Sequence, residues 1–204
     1  MTENQISNIF HDLKNDFATM TALVGLHNLY KEEITNEDLL NRLSLRQNVI
    51  SAAYEKLYQN NNYPYINLSN CTDALLKKNK QFLLKYCKDV EIKKEVSDIE
   101  LDIKTTIALT HILTELLSNS YMHAFNAMDN NSEIHFNIYK KSSIIRLEYN
   151  DNGKGFKDNY DYLNCKTLGM QFISSLSKQI AGKPEFKKSS FDTGVGFLLE
   201  VENK

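Results

Sequence analysis

Three polar side chains at a spacing of four, Glu115, Asn119 and His123, are the first candidates for chemistry. On a helix they project from one face, above an apolar face formed by Ile107, Leu113 and Leu117. The amide oxygen of Asn119 is the ligand type that a hard cation such as Mg²⁺ takes beside phosphate oxygens. Glu115 could orient a water or polarise an attacking group; the triplet would serve equally well as a solvated helix face. The segment Asn150-Asp-Asn-Gly-Lys-Gly-Phe156 follows an apolar run. It puts Asp151 at a strand end, where a carboxylate can accept a hydrogen bond from an exocyclic amine. Gly153 and Gly155 admit close approach of a ligand, although Asp-Asn-Gly is also a turn signal in its own right. Residues 156–167 show no regular pattern and include Lys157, Asp158 and Lys166. A loop of that length in a compact domain is commonly a mobile lid. The helix expected to open at Thr167-Leu-Gly169 offers its N-terminal amides to a phosphate.

The elements that must position these groups fall into two halves. Residues 3–32 carry a nearly uninterrupted heptad pattern, with Ile6, Leu13, Met20 and His27 in one series and Phe10, Phe17 and Val24 in the other. Lys31–Asp38 breaks it, with Thr35 as the cap of a second helix lined by Leu39, Leu43, Ile50, Ala53 and Leu57 and running to about Tyr58. Long helices joined so briefly are antiparallel neighbours. A two-helix hairpin leaves an apolar seam uncovered, so a homodimer closing a four-helix bundle is expected; coverage by the second half is the alternative. The polar run Gln59–Pro64 is the linker, dividing the chain into residues 1–62 and 63–204. Beyond it, strands are expected at 65–69 and 90–96 with a helix over 71–87 between them, then a helix from Ile103 to Phe125. Alternation at Ile134, Phe136 and Ile138, then at Ile144–Tyr149, gives two more strands. A helix over Leu168–Ala181 and a closing strand over Gly194–Val201 complete the pattern. The fold class is therefore α+β, a helical hairpin followed by a mixed sheet with helices on one face.

Composition sets the outer bounds. The chain has 204 residues, 42% hydrophobic and 25% charged, which supports a buried core and excludes wholesale disorder. A net charge of −2 gives no electrostatic case for nucleic acid. No apolar run approaches the roughly 20 residues of a membrane span, and Met-Thr-Glu-Asn-Gln-Ile is no secretory signal. Cys71, Cys87 and Cys165 lack metal spacing and are expected as reduced thiols, so a cytoplasmic protein without membrane insertion is expected.

Taken in order, the Glu-x-x-x-Asn helix, the Asp-x-Gly-x-Gly loop, the irregular lid and the glycine-bearing last strand resemble the ATP-binding domain of GHKL ATPases, a two-layer α/β sandwich. His11-Asp-Leu-Lys-Asn15, ahead of an apolar heptad helix, resembles the phosphoacceptor helix of histidine kinases of the H-x-x-K-N subfamily. Tyr54-Glu-Lys-Leu-Tyr58 is similar to that subfamily's H-E-x-L-Y segment, with tyrosine for histidine, and Glu115–Asn119 through His123-Ala-Phe125 follows its wording. The resemblance covers about residues 6–201.

The resemblance implies a two-component histidine kinase that uses ATP and Mg²⁺, phosphorylates His11 and passes the phosphoryl group to an aspartate of a response-regulator receiver domain. His11 falls beside the seam at an exposed heptad position, with an ordinary pKa of about 6.5 that leaves a neutral nucleophile near pH 7. By the same resemblance Asp12 holds or deprotonates the imidazole, and Asn15 positions water for dephosphorylating the partner. Glu115 supports transfer, Asn119 ligates the metal, His123 belongs to the nucleotide site and Asp151 recognises the adenine amino group. Gly153, Gly155 and Gly196 make room for the nucleotide, and Gly169 starts the helix behind the lid. The chain departs from the pattern at Met122, where a lysine is usual, at Val195, where a threonine is usual, and in having the single Gly169 at the lid end. His11 lies near Met1, so a chain of this kind is expected to receive its signal from a partner such as a separate sensor protein, to run unregulated, or not to be a kinase. The departures keep one rival open, a histidine phosphotransferase of the same shape that relays phosphate between regulators without ATP. A non-enzymatic module that binds a regulator is a further rival.

Overall fold

Alternation along Ser132–Tyr139 and Ile144–Asp151 buries every second side chain and leaves the intervening ones half-buried, so these strands have one wetter face and one dry one. The computed structural model describes residues 35–59, 64–87, 89–125, 131–156 and 167–202, together with Ser7, Leu13, Lys14, Phe17, Ala18, Met20, Thr21, Val24 and Gly25. In chain order the elements are α1 (Asn36–Gln59), β1 (Tyr65–Asn67), α2 (Leu68–Leu83), β2 (Val90–Val96), β3 (Glu100–Asp102) and α3 (Ile103–Asn119). A π-helical turn (Ser120–Ala124), β4 (Ser132–Lys141), β5 (Ile144–Asp151), α4 (Leu168–Gln179), β6 (Lys183–Lys188) and β7 (Val195–Glu202) follow.

Five strands form one sheet in the order β2-β4-β5-β7-β6. The β2–β4 pair is parallel and the other pairs are antiparallel, so the sheet is mixed, as expected. Its dry face carries Ile134, Phe136, Ile138, Ile145, Leu147, Tyr149, Phe197, Leu199 and Val201, which share one core with residues of α2, α3 and α4. β6, with Pro184 and lysines at 183, 187 and 188, is an edge strand whose composition discourages further pairing.

β1 and β3 form a separate antiparallel pair. Each ends in a helix cap: Asn67 accepts the Asn70 N–H at the start of α2, and Asp102 accepts the Thr105 N–H at the start of α3. The two-stranded ladder thus holds the beginnings of α2 and α3 side by side. Thr35 caps α1 as expected, its Oγ1 accepting the Asp38 N–H at 3.1 Å.

α1 is buried on two faces. Leu45 enters the main core, Val49 and Ala52 meet Leu75, and Ile50, Ala53, Tyr54 and Leu57 join Ile66, Cys71, Ile103 and Ile107. The described residues ahead of it are helical. Leu13 and Met20 pack against that last cluster, whereas Phe17 and Val24 are exposed. At the described heptad positions, Leu13 and Met20 therefore face the chain's own core, and Phe17 and Val24 face out. The expected linker lies at the end of α1, with residues 60–63 outside the described residues.

Three sequence expectations need correction. The strand expected over 65–69 stops at Asn67, where capping starts the helix early. The helix expected to reach Phe125 leaves α geometry after Asn119, with the Phe125 N–H bonded five residues back to Ser120 O. β3 and β6 had no counterpart in the sequence reading.

α3 is buried over nearly its whole circumference, and His111 is buried with it. Its ring meets Phe172 edge-on at 5.4 Å between centroids, and Nδ1 has no hydrogen-bond partner among the described residues. Burial, and then the neighbouring Arg46 charge, depress its pKa to about 3. The unfolded chain takes up this proton near pH 6.5, the folded chain only near 3, so stability is full above pH 6.5 and falls as the pH drops between those values. We expect wild type to lose about 2 kcal/mol more than His111→Gln between pH 7.5 and pH 5 in urea unfolding. Parallel losses in the two proteins would show that His111 is not the titrating group.

Candidate functional site

The end of α3, the π turn, the strand end at Asp151, Val195 and the start of α4 surround a cavity of about 540 Å³. Its wall includes Asn119, His123, Asp151, Gly155 and Gly169 of the expected site residues. Apolar surface comes from Leu116, Met122, Met170, Phe156, Phe186 and Val195, and charged groups from Asp38, Arg42 and Lys154.

Asp151 is held from three directions. Ser120 Oγ donates to Oδ2 at 2.7 Å, and the N–H groups of Gly153 and Val195 donate to Oδ1 at 3.0 and 3.2 Å. A carboxylate has about four acceptor positions, so one remains, on Oδ2. Burial raises the Asp151 pKa, against the lowering effect of these donors. Tyr149 Oη and Ser120 Oγ are 2.8 Å apart, and Tyr149 also donates to Leu116 O at 3.4 Å, which ties the strand end to the last turn of α3. The π turn carries Ser120 into this network.

Gly194 approaches the same carboxylate from the other side. Its φ is +101°, and a Cβ built there would lie 1.8 Å from Asp151 O, so only glycine fits. Gly196, singled out by the sequence reading, lies in the ladder opposite Asn150 and Lys187 and does not line the cavity. Gly153 stands behind the wall against Ala124, where a Cβ would meet the Ala124 Cβ at 2.5 Å. Gly155, with φ +70°, packs on Gly194.

Glu115 is also behind the wall. Its Oε1 accepts Arg42 Nη1 at 2.5 Å and its Oε2 accepts Arg46 Nη2 at 3.1 Å. Burial alone would raise its pKa, but the two guanidiniums outweigh burial and hold it below the ordinary carboxylate range. Arg46 is itself buried and stacks on Phe172, 3.5 Å from the ring centroid; burial lowers its pKa despite Glu115. Gly169 lets α4 start directly over this carboxylate, since a Cβ there would be 2.3 Å from Glu115 Oε1. His123 Nε2 is 3.4 Å from Arg42 Nη2. Burial, then Arg42 and Lys154, lower its pKa, so the ring is neutral near pH 7 and can accept from Arg42.

Sequence reasoning missed Ser120, Arg42, Arg46 and Gly194. The four-residue spacing of Arg42 and Arg46 beside Leu45 and Val49 was the available signal. His11, Asp12 and Asn15 lie outside the described residues, as does most of the expected lid. Cys71 and Cys87 are buried, with burial pushing the Cys71 thiol up to about 12. No group of three or more His, Cys, Asp or Glu that could hold a metal exists among the described residues. No helix among them is long and apolar enough to cross a membrane.

A helical segment followed by a mixed sheet under helices, with a cavity between the Asn119 helix and the Asp151 strand end, is the fold of histidine kinase catalytic domains of the GHKL type. A family model described as Histidine kinase (HisKA_2) matches residues 8–83. Sensor protein LytS of Bacillus cereus is 29% identical over 77 residues, which are 38% of this chain and 12% of that protein. The chain thus spans about an eighth of the curated relatives it matches. The histidine kinase domain of the Erythrobacter litoralis EL346 blue-light activated histidine kinase superposes with a TM-score of 0.71 at 14% identity, covering 98% of this chain and 91% of that one. Acinetobacter baumannii histidine kinase AdeS superposes at 0.56 with 14% identity, over 95% and 98% of the two chains. The family model thus covers the first part of the chain, and the fold of the whole is that of histidine kinase domains.

Glu115→Gln would leave the buried Arg46 facing a neutral amide. We expect a loss of about 3 kcal/mol in urea unfolding, the scale for breaking one side of a buried pair. A loss below about 1 kcal/mol, the range of an exposed pair, would show that the clamp does not hold α1 to α3.

Proposed function

We propose that the chain is the core of an ATP-dependent protein histidine kinase. It binds Mg·ATP in the cavity, transfers the γ-phosphoryl group to its own His11, and then passes it to an aspartate of a response-regulator receiver domain. The observation that carries this reading is the cavity itself, with a carboxylate retaining one free acceptor position at Asp151, apolar walls, and Asn119, Arg42 and Lys154 on its lining. A purine would lie between Met122, Val195 and neighbouring apolar residues and donate its amino group to Asp151. Asn119 would give its amide oxygen to Mg²⁺, which supplies charge neutralisation on the phosphates when bound. Because no acidic cluster is gathered among the described residues, the metal would rest mainly on phosphate oxygens, in keeping with Mg²⁺.

In the transfer, an imidazole nitrogen of His11 forms a bond to the γ-phosphorus as the bond to the β-phosphate bridging oxygen breaks, releasing ADP. Asp12 takes the imidazole proton. The receiver carboxylate then attacks the phosphoryl group and frees His11, with Asn15 placed to bring water for the reverse, dephosphorylating activity. Most of the rate comes from positioning and charge neutralisation. A cytoplasmic setting agrees with the free thiol of Cys71.

A second reading rests on one specific observation. Glu115 is occupied by Arg42 and Arg46 and is not free to polarise an attacking group. That state, with Met122 and Val195 in the wall, suits a phosphotransferase that relays phosphate without ATP. Incubation with γ-labelled ATP separates the two readings. We expect label on wild type and none on His11→Gln. Label persisting on His11→Gln would remove His11 from the mechanism. No nucleotide binding, together with uptake of phosphate from a phosphorylated regulator, would establish the relay instead.

The protein is further proposed to be a homodimer built on the outward heptad series. Phe17 and Val24 are 61% and 40% exposed one heptad apart, whereas Leu13 and Met20 pack against the cluster that includes Ile50 and Ile107. Phe17→Glu should therefore halve the mass measured by analytical ultracentrifugation without changing the circular dichroism. A dimeric Phe17→Glu protein would place the dimer contact elsewhere.

A further inference from the structure

The cavity wall on the α1 side holds an arginine whose charge is not cancelled. Glu115 carries one negative charge and pairs with two guanidiniums, Arg42 and Arg46. Arg46 is sealed in, 3% exposed, on the face of Phe172, and does not reach the cavity. Arg42 does line it. Its Nη1 is fixed by Glu115 at 2.5 Å, its Nη2 lies 3.4 Å from His123 Nε2, and its Nε is buried with no hydrogen-bond partner among the described residues. The acidic residue on the same wall, Asp38, is engaged by Thr35 Oγ1 at 2.9 Å and Tyr86 Oη at 3.3 Å. Met122 brings no charge to the π turn. The other lysine or arginine on the described lining is Lys154, whose side chain is exposed.

We propose that Arg42 is a phosphate-binding residue of the nucleotide site, contributed by the helix of the hairpin half. The inference rests on the reading of the cavity as an ATP site and gives a specific role to one of its lining residues. Glu115 keeps hold of Nη1, which pre-organises the planar guanidinium, while Nη2 turns its donor from the neutral His123 ring to a phosphate oxygen. An anchored arginine loses little rotamer freedom on binding an oxyanion and meets it in a fixed fork, which a mobile lysine cannot do. Lys154 supplies further positive charge.

Calorimetry on the full chain with Mg·ATP, Mg·ADP and adenosine tests this, using wild type, Arg42→Gln and Arg42→Lys. We expect Arg42→Gln to weaken Mg·ATP by about tenfold or more, the scale of one lost charged hydrogen bond, and to leave adenosine within about twofold. Arg42→Lys, which retains a charge for Glu115, should recover part of the ATP affinity. An Arg42→Gln protein that binds ATP as wild type does, or that loses ATP and adenosine equally, overturns the phosphate role and leaves Arg42 as a clamp only. Should Arg42→Gln fail to fold, Arg42→Lys is read by the same ratio: weaker ATP with unchanged adenosine supports the role, and an unchanged ratio overturns it. Wild type that binds none of the three probes would overturn the ATP reading itself, and this inference with it.

Discussion

The buried carboxylate of Glu115, shared between Arg42 and Arg46, is the interaction on which the arrangement of the other elements depends. Three charges are withdrawn from water within one small volume, and desolvation of that kind is offset only when geometry and hydrogen bonding are good. Here both carboxylate oxygens are engaged, Arg46 spreads its charge over Phe172, and the adjacent His111 is kept neutral. The cluster ties α1 to α3 through the arginines and α3 to α4 through Phe172 and Gly169. Apolar burial of Leu45, Val49 and Ala52 brings α1 onto the second half without dictating its rotation or shift. The paired charges do dictate it, because sliding α1 by one turn would strand the buried Arg46 guanidinium and leave the Glu115 carboxylate without its partners.

A second polar knot fixes the opposite wall. Asp151 is bonded by a side chain of the π turn and by backbone groups of its own loop and of Val195, so three segments distant in sequence meet at one carboxylate. The approach is possible because Gly194 has no side chain, and the π turn is what brings Ser120 within 2.7 Å. One knot is ionic and sits behind the wall; the other is hydrogen-bonded and forms part of it. The cavity lies between them, so its shape is set by buried polar contacts more than by the surrounding hydrophobic core.

Much of this architecture is legible in the sequence, and the remainder is hidden for physical reasons. Strands β2, β4, β5 and β7 announce themselves by length or alternation, and Thr35 by its place before a helical stripe. β3 has three residues, too few for any period, and its place comes from pairing with β1, which is long-range. β6 carries Pro184 and three lysines, a composition that resembles a loop until an edge position explains it. A π turn has no local signature, so the helix at 103–119 was read through to Phe125. Asn119, Asp151 and Gly169, which the fold brings to one cavity wall, stand out in the sequence because their spacing matches a family pattern. Arg42 and Arg46 were not, because charges on a helix stripe look solvated unless the helix is known to be buried on a second face. Gly196 drew attention by proximity, whereas the close approach belongs to Gly194.

The two-sided burial of α1 has a consequence for how the halves communicate. At one end this 24-residue helix, roughly 36 Å long, brings Asp38 and Arg42 to the cavity; further along, Ile50, Ala53, Tyr54 and Leu57 belong to the cluster against which Leu13 and Met20 of the preceding helical stretch pack. The intervening turns are packed tightly, with Val49, Ala52 and Ala53 fully buried, so the helix moves as a rod or not at all. An anion bound at Nη2 of Arg42 would share the guanidinium whose Nη1 Glu115 holds, and so would bear on this end of the rod. A rearrangement at the outward Phe17 and Val24 face acts on the same rod from its other end. Coupling of this sort is a free-energy difference shared by two sites, and it must be reciprocal: whatever the hairpin's packing does to anion binding at Arg42, anion binding does in equal measure to the hairpin. The ion pair that holds the fold together is thus also the contact through which the cavity and the hairpin can influence each other.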